Sequence, residues 1–475
     1  MIFTEAIFFV FLAAVFTAYW LLKNHREWQL RLLLVASTIF YGWWDWRFLL
    51  LIGTVILISW ITAQQVSKRQ ENAPSRRAWL IFGITSSLAI LGVFKYFNFF
   101  ADSSIAMLQA IGLTPSAGAV HILLPVGISF YIFQAVSYIV DTARGDLKAE
   151  NRLSRVALYI AFFPQLVAGP IVRAASFFPQ MDRIKPLNRG LVAAGLRAFL
   201  LGFAYKAGIA DNLAQFVDPV FGSALVPNDA DLTVWSNGAL VGASLAFAGQ
   251  IYFDFVGYSL MAIGVARWFG FYIPKNFDYP YASTNIADFW RRWHISLSSW
   301  LRDYLYIPLG GNRSGKVKTY RNLMITMVLG GLWHGAAWTF VAWGALHGLA
   351  LAMHRALFVG KSRRLPAILA LIATQLFVLL AWVPFRAESF GDTIIAWSAF
   401  VGLRTGGPET LPWIVWAVPI LIILDAALGH SRLRRLARSS LIRRPIIFWG
   451  GLGVLTATLF ALYPLEAQPF VYFQF

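Results

Sequence analysis

The sequence lacks cysteine and contains few charged residues. The absence of cysteine excludes disulfide bonds, thiolate metal ligands and a cysteine nucleophile. Charged residues make up 13% of the chain and hydrophobic residues 58%. An average soluble domain has about 25% charged and about 45–50% apolar residues. Because each transmembrane helix needs about 20 mainly apolar residues, this composition predicts a polytopic membrane protein.

The alternating pattern of a transmembrane β-barrel is also missing. Barrel strands show polar and apolar side chains alternating over segments of about ten residues. The apolar runs here are long and unbroken, as in AIFFVFLAAVFTAYWLL near the N-terminus. The fold is therefore predicted to be all-α, with residues 1–475 forming a single integral-membrane domain. Spans are predicted near residues 5–22, 31–44, 47–65, 79–97, 120–140, 190–213, 238–267, 321–354 (a tight pair of helices), 365–384, 412–428 and 445–463.

Acidic residues are fewer than basic ones: the chain has 22 Asp and Glu but 40 Lys and Arg, which gives a net charge of +18. The excess lies in short loops, which the positive-inside rule assigns to the cytoplasm. Loops poor in Lys and Arg, at 101–120 and 216–236, are predicted to face outward, as are both termini. The N-terminus does not resemble a cleaved signal peptide. These features predict a multi-pass protein of an inner membrane. No nucleic-acid partner is predicted, because no soluble domain is long enough to hold a basic binding face.

Residues 153–172 do not fit the alternation of sides. They are apolar, yet basic residues flank them at both ends, Arg155 near the start and Arg173 after the end. A re-entrant segment, which returns to the side from which it entered, explains this pattern. Its FFPQLVAGP centre predicts irregular backbone, which is tolerated at membrane depth only when it is buried in protein or lines a cavity.

His334 lies in the motif LGGLWHGAAW, inside the apolar run from Leu323 to Leu351. An ionisable residue in hydrocarbon is costly and is a functional-site hypothesis by default. Small neighbours allow close approach of a backbone or a substrate, and Trp333 and Trp338 are predicted to wall a pocket. Burial disfavours the imidazolium, so the ring is expected to be neutral and able to take a proton from an alcohol. A purely structural histidine remains the alternative.

His294 lies in a second motif, ADFWRRWHISLSSWLRDYL, at residues 287–305. The spacing of Trp290, His294, Leu297 and Leu301 predicts an amphipathic helix with these side chains on one face. Three arginines make the segment a poor span, so it is expected to lie at the interface or to dip into the protein. His294 is expected to point to the interior, where a structural hydrogen bond to a backbone carbonyl is the alternative to a functional role.

Other polar residues also fall in apolar segments. Asp254 is a lone intramembrane carboxylate, open to interpretation as a proton relay, a partner of a histidine or a paired structural group. Lys206 and Asp211 are five residues apart, so they are not predicted to share one face of an α-helix. His347 lies in the same run as His334, and His354 is predicted to be interfacial. The sequence has no HExxH motif, and no metal site is predicted.

The histidine motifs belong to two longer segments, FDYPYASTNIADFWRRWHISLSSWLRDYLYIPLGGNR and MVLGGLWHGAAWTFVAWGALHG. Together with LPVGISFYIFQAVSYIVDTARG and FFPQLVAGPIVR, they resemble the membrane-bound O-acyltransferase (MBOAT) superfamily, and within it the branch that acetylates alginate. The resemblance covers nearly the whole chain. It implies an MBOAT-type ring of roughly 11–13 tilted and re-entrant helices around a central tunnel, and acyl transfer to a hydroxyl across the membrane.

The resemblance also implies roles for individual residues. By position in the motifs, His334 is the catalytic histidine and His294 the second active-site residue. No tightly bound cofactor is implied; the expected donor is an acyl-CoA, in particular acetyl-CoA, on the cytoplasmic side. The expected acceptor is a cell-surface polysaccharide, as in the biosynthesis of alginate and other exopolysaccharides, or an extracytoplasmic acyltransferase partner, with membrane lipids around the chain. Substrate-binding positions in the two histidine segments are Trp333, Trp290, Arg302, Asp303 and Asn312. Asp254 and Tyr258 are further substrate-binding positions, in the segment DFVGYSLMAIG.

One segment departs from the family pattern. The family usually reads DFSGYSDMAIG, whereas this chain reads DFVGYSLMAIG. Val256 replaces a small polar residue and Leu260 replaces a carboxylate, so acceptor or partner contacts at these two positions are not carried over. The histidines are unaffected.

Two other functions are compatible with the residues alone. A transporter or flippase for a polysaccharide or lipid-linked intermediate would use Asp254 and Lys206 as its working charges. Transporters often show paired halves with related hydropathy, and no such repeat is found here. A non-catalytic scaffold of an export assembly is the third hypothesis. Turnover of radiolabelled acetyl-CoA by the purified protein would favour the enzyme.

Overall fold

The computed structural model describes residues 1–113, 122–167, 169–183, 186–222, 231–313, 315–362, 365–403, 413–429, 450 and 470–471. All regular structure in this part of the chain is helical, which confirms the all-α prediction. The chain separates into two compact units, Met1–Phe199 with Ser259–Pro274 and Leu200–Tyr258 with Lys275–Phe475. The single domain and the ring with its tunnel stay predictions.

The first unit consists mainly of apolar helices. Its turn before α6 depends on glycine, because Gly127 has a left-handed backbone (φ 76°) and a Cβ there would lie 2.5 Å from the carbonyl oxygen of Leu166. The helices are α1 (Ala6–Leu21), α2 (Arg26–Gly42), α3 (Arg47–Ser67), α4 (Pro74–Leu91), α5 (Phe97–Ala110), α6 (Ile128–Arg144), α7 (Leu153–Ala161), α8 (Phe163–Leu166) and α9 (Ala174–Met181).

The predicted re-entrant segment, residues 153–172, contains two short helices rather than a span. α7 has 9 residues and α8 has 4, and about 1.5 Å of rise per residue leaves both far short of a hydrocarbon core of about 30 Å. Buried polar bonds support the irregular part, since the Tyr159 hydroxyl donates to the Val172 carbonyl at 2.9 Å. The predicted irregular backbone is confirmed, and the return of the segment to the side from which it entered stays a prediction.

The second unit contains both histidine motifs. Two of its three boundaries with the first unit along the chain fall within α10 (Arg189–Phe203) and α12 (Asn237–Trp268), and the third follows Pro274. A π-helical turn, Ala204–Ala210, follows α10, and another, Arg302–Tyr306, follows α14. The remaining helices are α11 (Asp211–Phe221), α13 (Ile286–Arg292), α14 (Ile295–Leu301), α15 (Lys316–His334), α16 (Trp338–Leu357), α17 (Ala367–Arg386), α18 (Phe390–Phe400), α19 (Trp413–Trp416) and α20 (Val418–Gly429).

Five helical stretches in the described residues are long and apolar enough to cross a membrane. They coincide with predicted spans and confirm a polytopic membrane protein, while α1 and part of α20 are shorter apolar helices at two further predicted positions. The five stretches are Arg47–Ser67, Pro74–Ala110, Arg189–Phe221, Asn237–Trp268 and Ala367–Arg386.

The outward loop predicted at 101–120 is wrong over its first half. A π-helical turn, Gly92–Tyr96, joins α4 to α5, which ends at Ala110. Residues 101–110 are therefore helical rather than a loop, and their outward position stays a prediction. The rest of this predicted loop from 114 onward, and the predicted span 445–463 except residue 450, lie outside the described residues.

Candidate active site

Three buried histidines define what we call the histidine cluster: His294, His334 and His347. Their exposed fractions are 0%, 3% and 1%, respectively. The ring centroids of His294 and His334 are 6.3 Å apart. The structure thus brings the two histidines singled out by the sequence into one interior site.

His334 is the last residue of α15, where the chain turns into α16. The two helices form the tight pair predicted from the sequence, and glycine makes the close packing possible. A Cβ on Gly331 would lie 2.2 Å from the carbonyl oxygen of Phe340, and one on Gly344 would lie 2.4 Å from the carbonyl oxygen of Met327. No other residue fits these positions without separating the helices, so the small residues fix where His334 leaves the helix.

Aromatic rings surround His334. The centroids of Trp333 and Trp343 both lie 5.0 Å from the imidazole centroid, and that of Phe385 lies 5.3 Å away. Trp338 is 55% exposed, and the prediction that it walls a pocket stays a prediction. Trp343, on the same helix, is the buried tryptophan of α16 that contacts the imidazole. The surroundings of the ring are therefore apolar, which favours the uncharged imidazole.

The helix predicted over 287–305 is wrong, because the chain breaks at His294. α13 ends at Arg292, Trp293 is extended, and His294 adopts the left-handed region (φ 43°, ψ 56°) before α14 begins. His294 is nevertheless fully buried, so the predicted burial is confirmed although the continuous helix from which it was inferred does not form. Its Nδ1 accepts the backbone N–H of Leu297 at 3.3 Å, so the side chain caps α14.

His294 lies outside the five candidate spans, and it is enclosed by aromatic rings. The centroid of Phe255 is 4.6 Å from that of His294, and the centroid of Trp333 is 5.7 Å away. Burial lowers the pKa of His294 to about 3, so the ring is neutral at physiological pH.

The sequence did not single out His347 as a site residue. Its Nδ1 accepts the Nε1–H of Trp290 at 3.2 Å, and its ring lies 4.7 Å from Trp343, which in turn contacts His334. Trp290, predicted to bind substrate, thus donates a hydrogen bond to His347. The sequence does show a third histidine in an apolar helix. It does not show that Trp290 of α13 pairs with His347 of α16, because the two helices are distant in sequence and periodicity relates only residues within one helix.

A separate group of buried charges, which we call the charged cluster, comprises Lys206, Asp211 and Asp254. The Nζ of Lys206 lies 2.6 Å from Oδ1 of Asp211 and 3.0 Å from Oδ1 of Asp254. The prediction that Lys206 and Asp211 cannot share a helix face is wrong, because the turn Ala204–Ala210 is π-helical. Its i→i+5 bonding brings residues five apart onto one face.

Asp254 also binds a distant part of the chain. Its Oδ2 accepts the backbone N–H of Val471 at 2.6 Å. The neighbouring Phe470 packs on Tyr258 and Phe255, with centroid distances of 5.1 and 5.4 Å. Phe255 in turn contacts His294, with centroids 4.6 Å apart, so Tyr258 is linked to the histidine cluster through Phe470 and Phe255. The prediction that Asp254 and Tyr258 bind substrate stays a prediction.

The remaining predicted substrate-binding residues lie outside the histidine cluster. Arg302 and Asn312 are exposed. Arg302 donates through Nε to Asp303 at 2.7 Å, and this hydrogen bond raises the pKa of the Arg302 guanidinium. The prediction that these three residues contact substrate remains open.

These features define the class: a membrane-embedded protein, helical in its described residues, with buried imidazoles enclosed by aromatic rings. Comparison with known proteins makes the class specific. The model of the membrane-bound O-acyltransferase family matches residues 38–363, which include the whole histidine cluster. The chain belongs to this family, and it is an acyltransferase.

Three relatives illustrate the range of the family. The chain is 42% identical over 412 residues to the probable alginate O-acetylase of Azotobacter vinelandii, covering 86% of this chain and 79% of that protein. It is 37% identical to the peptidoglycan O-acetyltransferase of Helicobacter pylori, covering 84% and 80%. It is 32% identical to the teichoic acid D-alanyltransferase of Streptococcus thermophilus, covering 50% and 59%. Family membership identifies an enzyme in place of the transporter and the scaffold.

Proposed function

We propose that this chain transfers an acetyl group from a thioester on the cytoplasmic side of the inner membrane to a hydroxyl of a cell-surface polysaccharide. The transfer is direct or passes through an extracytoplasmic acyltransferase. The observation that carries the proposal is the pair of buried imidazoles, His294 and His334, with centroids 6.3 Å apart. The names of two relatives, which refer to O-acetylation of alginate and of peptidoglycan, support an acetyl group and a polymeric acceptor.

His334 is the general base in this proposal. Its aromatic surroundings favour the neutral ring, which accepts a proton and releases it again at neutral pH. A base placed at the reacting hydroxyl raises the rate by about 10²–10⁴. The imidazole of His294 lies close enough to His334 to contact the same thioester, since the two ring centroids are 6.3 Å apart.

The reaction then needs only the two substrates. The hydroxyl oxygen attacks the thioester carbonyl carbon while His334 takes the hydroxyl proton, and a tetrahedral intermediate forms. When the intermediate collapses, the carbon–sulfur bond breaks and the imidazolium returns the proton to the thiolate. The products are an ester and a free thiol. The apolar surroundings exclude water, which would otherwise hydrolyse the thioester.

The proposed donor is acetyl-CoA, used as a substrate and not as a bound cofactor. The net charge of +18 is concentrated in short loops, and the positive-inside rule places them on the cytoplasmic side. A basic surface raises the local concentration of phosphate-bearing donors. Membrane lipids surround the apolar helices.

The substitution His334→Ala tests the proposal. We expect polymer-bound acetyl to fall by at least 10²-fold in cells that make the variant at the normal membrane level, because the base is lost. The matched control is His25→Ala, which removes an exposed histidine at the start of α2 and should leave acetylation unchanged. Undiminished acetylation in His334→Ala would refute the proposal. Release of thiol from radiolabelled acetyl-CoA by the purified protein provides a second readout.

A further inference from the structure

The backbone at His294 is strained in a way that points to function. His294 and Tyr279 are the two non-glycine residues with positive φ in the described part of the chain. Such a conformation costs on the order of 1–3 kcal/mol and persists only where the surroundings impose it. The residues that impose it here are visible in the structure.

Asn276 holds the chain immediately after His294. Its backbone carbonyl accepts the N–H of Ile295 at 2.8 Å. Its side-chain Oδ1 accepts both the backbone N–H of Ser296 at 3.2 Å and the Ser296 hydroxyl at 2.8 Å. Asn276 is 1% exposed, so these bonds do not compete with water. They fix the start of α14 and, with it, the position of His294.

A second pairing holds the chain before His294. The backbone N–H of Asp278 donates to the carbonyl of Arg292 at 3.0 Å, and Nη1 of Arg292 donates to the carbonyl of Asp278 at 3.3 Å. The segment 276–278 therefore bonds the chain on both sides of His294. This segment, which precedes α13 in the chain, thus imposes the left-handed turn at His294.

The helix cap determines which ring nitrogen of His294 carries the proton. A neutral imidazole has one N–H donor and one acceptor nitrogen. Nδ1 is the acceptor, because it receives the Leu297 N–H at 3.3 Å. The proton must therefore be on Nε2, which makes Nε2 a donor.

We propose that His294 works as a fixed Nε2–H donor to the thioester carbonyl oxygen, and that Asn276 is the positioning residue that holds it there. This inference rests on the proposed function and deepens it. Negative charge develops on the carbonyl oxygen when the hydroxyl attacks, and a preorganised donor stabilises it. The two imidazoles then have opposite tasks: His334 accepts the hydroxyl proton, and His294 donates a hydrogen bond without transferring its proton.

The substitution His294→Asn separates the cap from the donor. Asparagine tolerates the left-handed region and is a favoured helix N-cap, but its amide ends one bond short of the position of Nε2. We expect His294→Asn to keep the membrane level and thermal stability of the wild type, to lower kcat by about 10²–10³ and to leave the KM for acetyl-CoA nearly unchanged. His294→Ala loses the cap as well and should also be less stable. A His294→Asn variant with wild-type kcat would overturn the inference.

Asn276 offers a test of positioning. Asn276→Ala removes the Oδ1 acceptor and should lower kcat more than the KM for acetyl-CoA. Asn276→Asp keeps an acceptor at this place and should restore part of kcat. Ser296→Ala removes only one of the bonds and should have a smaller effect than Asn276→Ala. An Asn276→Ala variant with normal kcat, or one that changes only KM, would contradict the role given to Asn276.

The proton position can be measured without activity. NMR of ¹⁵N-histidine-labelled protein distinguishes the two neutral forms of the ring, and the signal of His294 is the one absent from His294→Asn. We expect protonated Nε2 and unprotonated Nδ1. A proton on Nδ1 would refute the donor role while leaving the general base in place, whereas an active His334→Ala variant would refute the proposed function whatever the state of His294.

Discussion

The histidine cluster and the charged cluster bury polar groups in opposite ways. His334 is surrounded by aromatic rings, with Trp343 at 5.0 Å and Phe385 at 5.3 Å. Lys206, by contrast, lies between two carboxylates at 2.6 and 3.0 Å. Neutral imidazoles can be buried at modest cost, whereas full charges require compensation by opposite charges.

This difference indicates that the histidine cluster takes part in chemistry and that the charged cluster stabilises the fold. A neutral ring remains able to accept or donate a proton. A charge held in ion pairs would lose those pairs if it bound a substrate or changed its protonation state. The charges that a transporter would use, Lys206 and Asp254, are of the second kind. The contrast predicts that substitutions in the charged cluster act mainly on stability and that those in the histidine cluster act mainly on the rate of transfer.

The largest effect on stability is expected from Lys206→Met. This change leaves two carboxylates buried without their ammonium partner, and breaking a buried pair costs about 3–5 kcal/mol. Thermal unfolding in detergent and the amount of protein in the membrane measure the loss. Adding Asp211→Asn and Asp254→Asn should restore most of the stability. If Lys206→Met is as stable as the wild type, the ion pairs are not what holds this region together.

An intermediate effect is expected from Gly331→Ala. The added Cβ would lie 2.2 Å from the carbonyl oxygen of Phe340, so α15 and α16 must separate, at a cost of about 1–3 kcal/mol. Since His334 ends α15, kcat should fall as well. Gly53→Ala is the control, because no atom lies within 4 Å of a Cβ at that position, and it should leave both stability and kcat intact. Equal behaviour of the two variants would contradict the close packing.

The smallest effect is expected from Trp290→Phe. The change removes the Nε1–H that Nδ1 of His347 accepts, and a lost hydrogen bond contributes about 1 kcal/mol. Unfolding in detergent should show this small loss, with kcat reduced less than tenfold. A KM for acetyl-CoA that rises tenfold or more at unchanged stability would show instead that Trp290 binds the donor directly, as the sequence motif predicts.

Hydropathy and small-residue spacing predicted the parts of the fold that depend on local pattern. The long apolar helices, such as α3 and α12, follow from their composition. The close pair α15 and α16 follows from Gly331 and Gly344. The burial of His334 also followed from its apolar neighbours.

The missed features depend on contacts between distant residues or on a different helical period. The motif around His294 contains no glycine or proline at the break, so its spacing fits an unbroken helix. The bonds that break it come from Asn276. Likewise, the α-helical period of 3.6 residues places Lys206 and Asp211 on different faces, and the π-helical turn brings them onto one face. Neither the break at His294 nor the π-helical turn has a local sequence signal that distinguishes it from a regular α-helix.

The bond between Asp254 and the backbone of Val471 bears on biogenesis. The two residues are 217 positions apart, so at a translation rate of about 5–20 residues per second the donor emerges on the order of 10–40 s after its acceptor. During that interval α12 enters the bilayer with its carboxylate lacking one of its final partners. The bond between Asp254 and Val471 therefore forms late in synthesis, and this region of the second unit is completed only when nearly all of residues 1–475 have been translated.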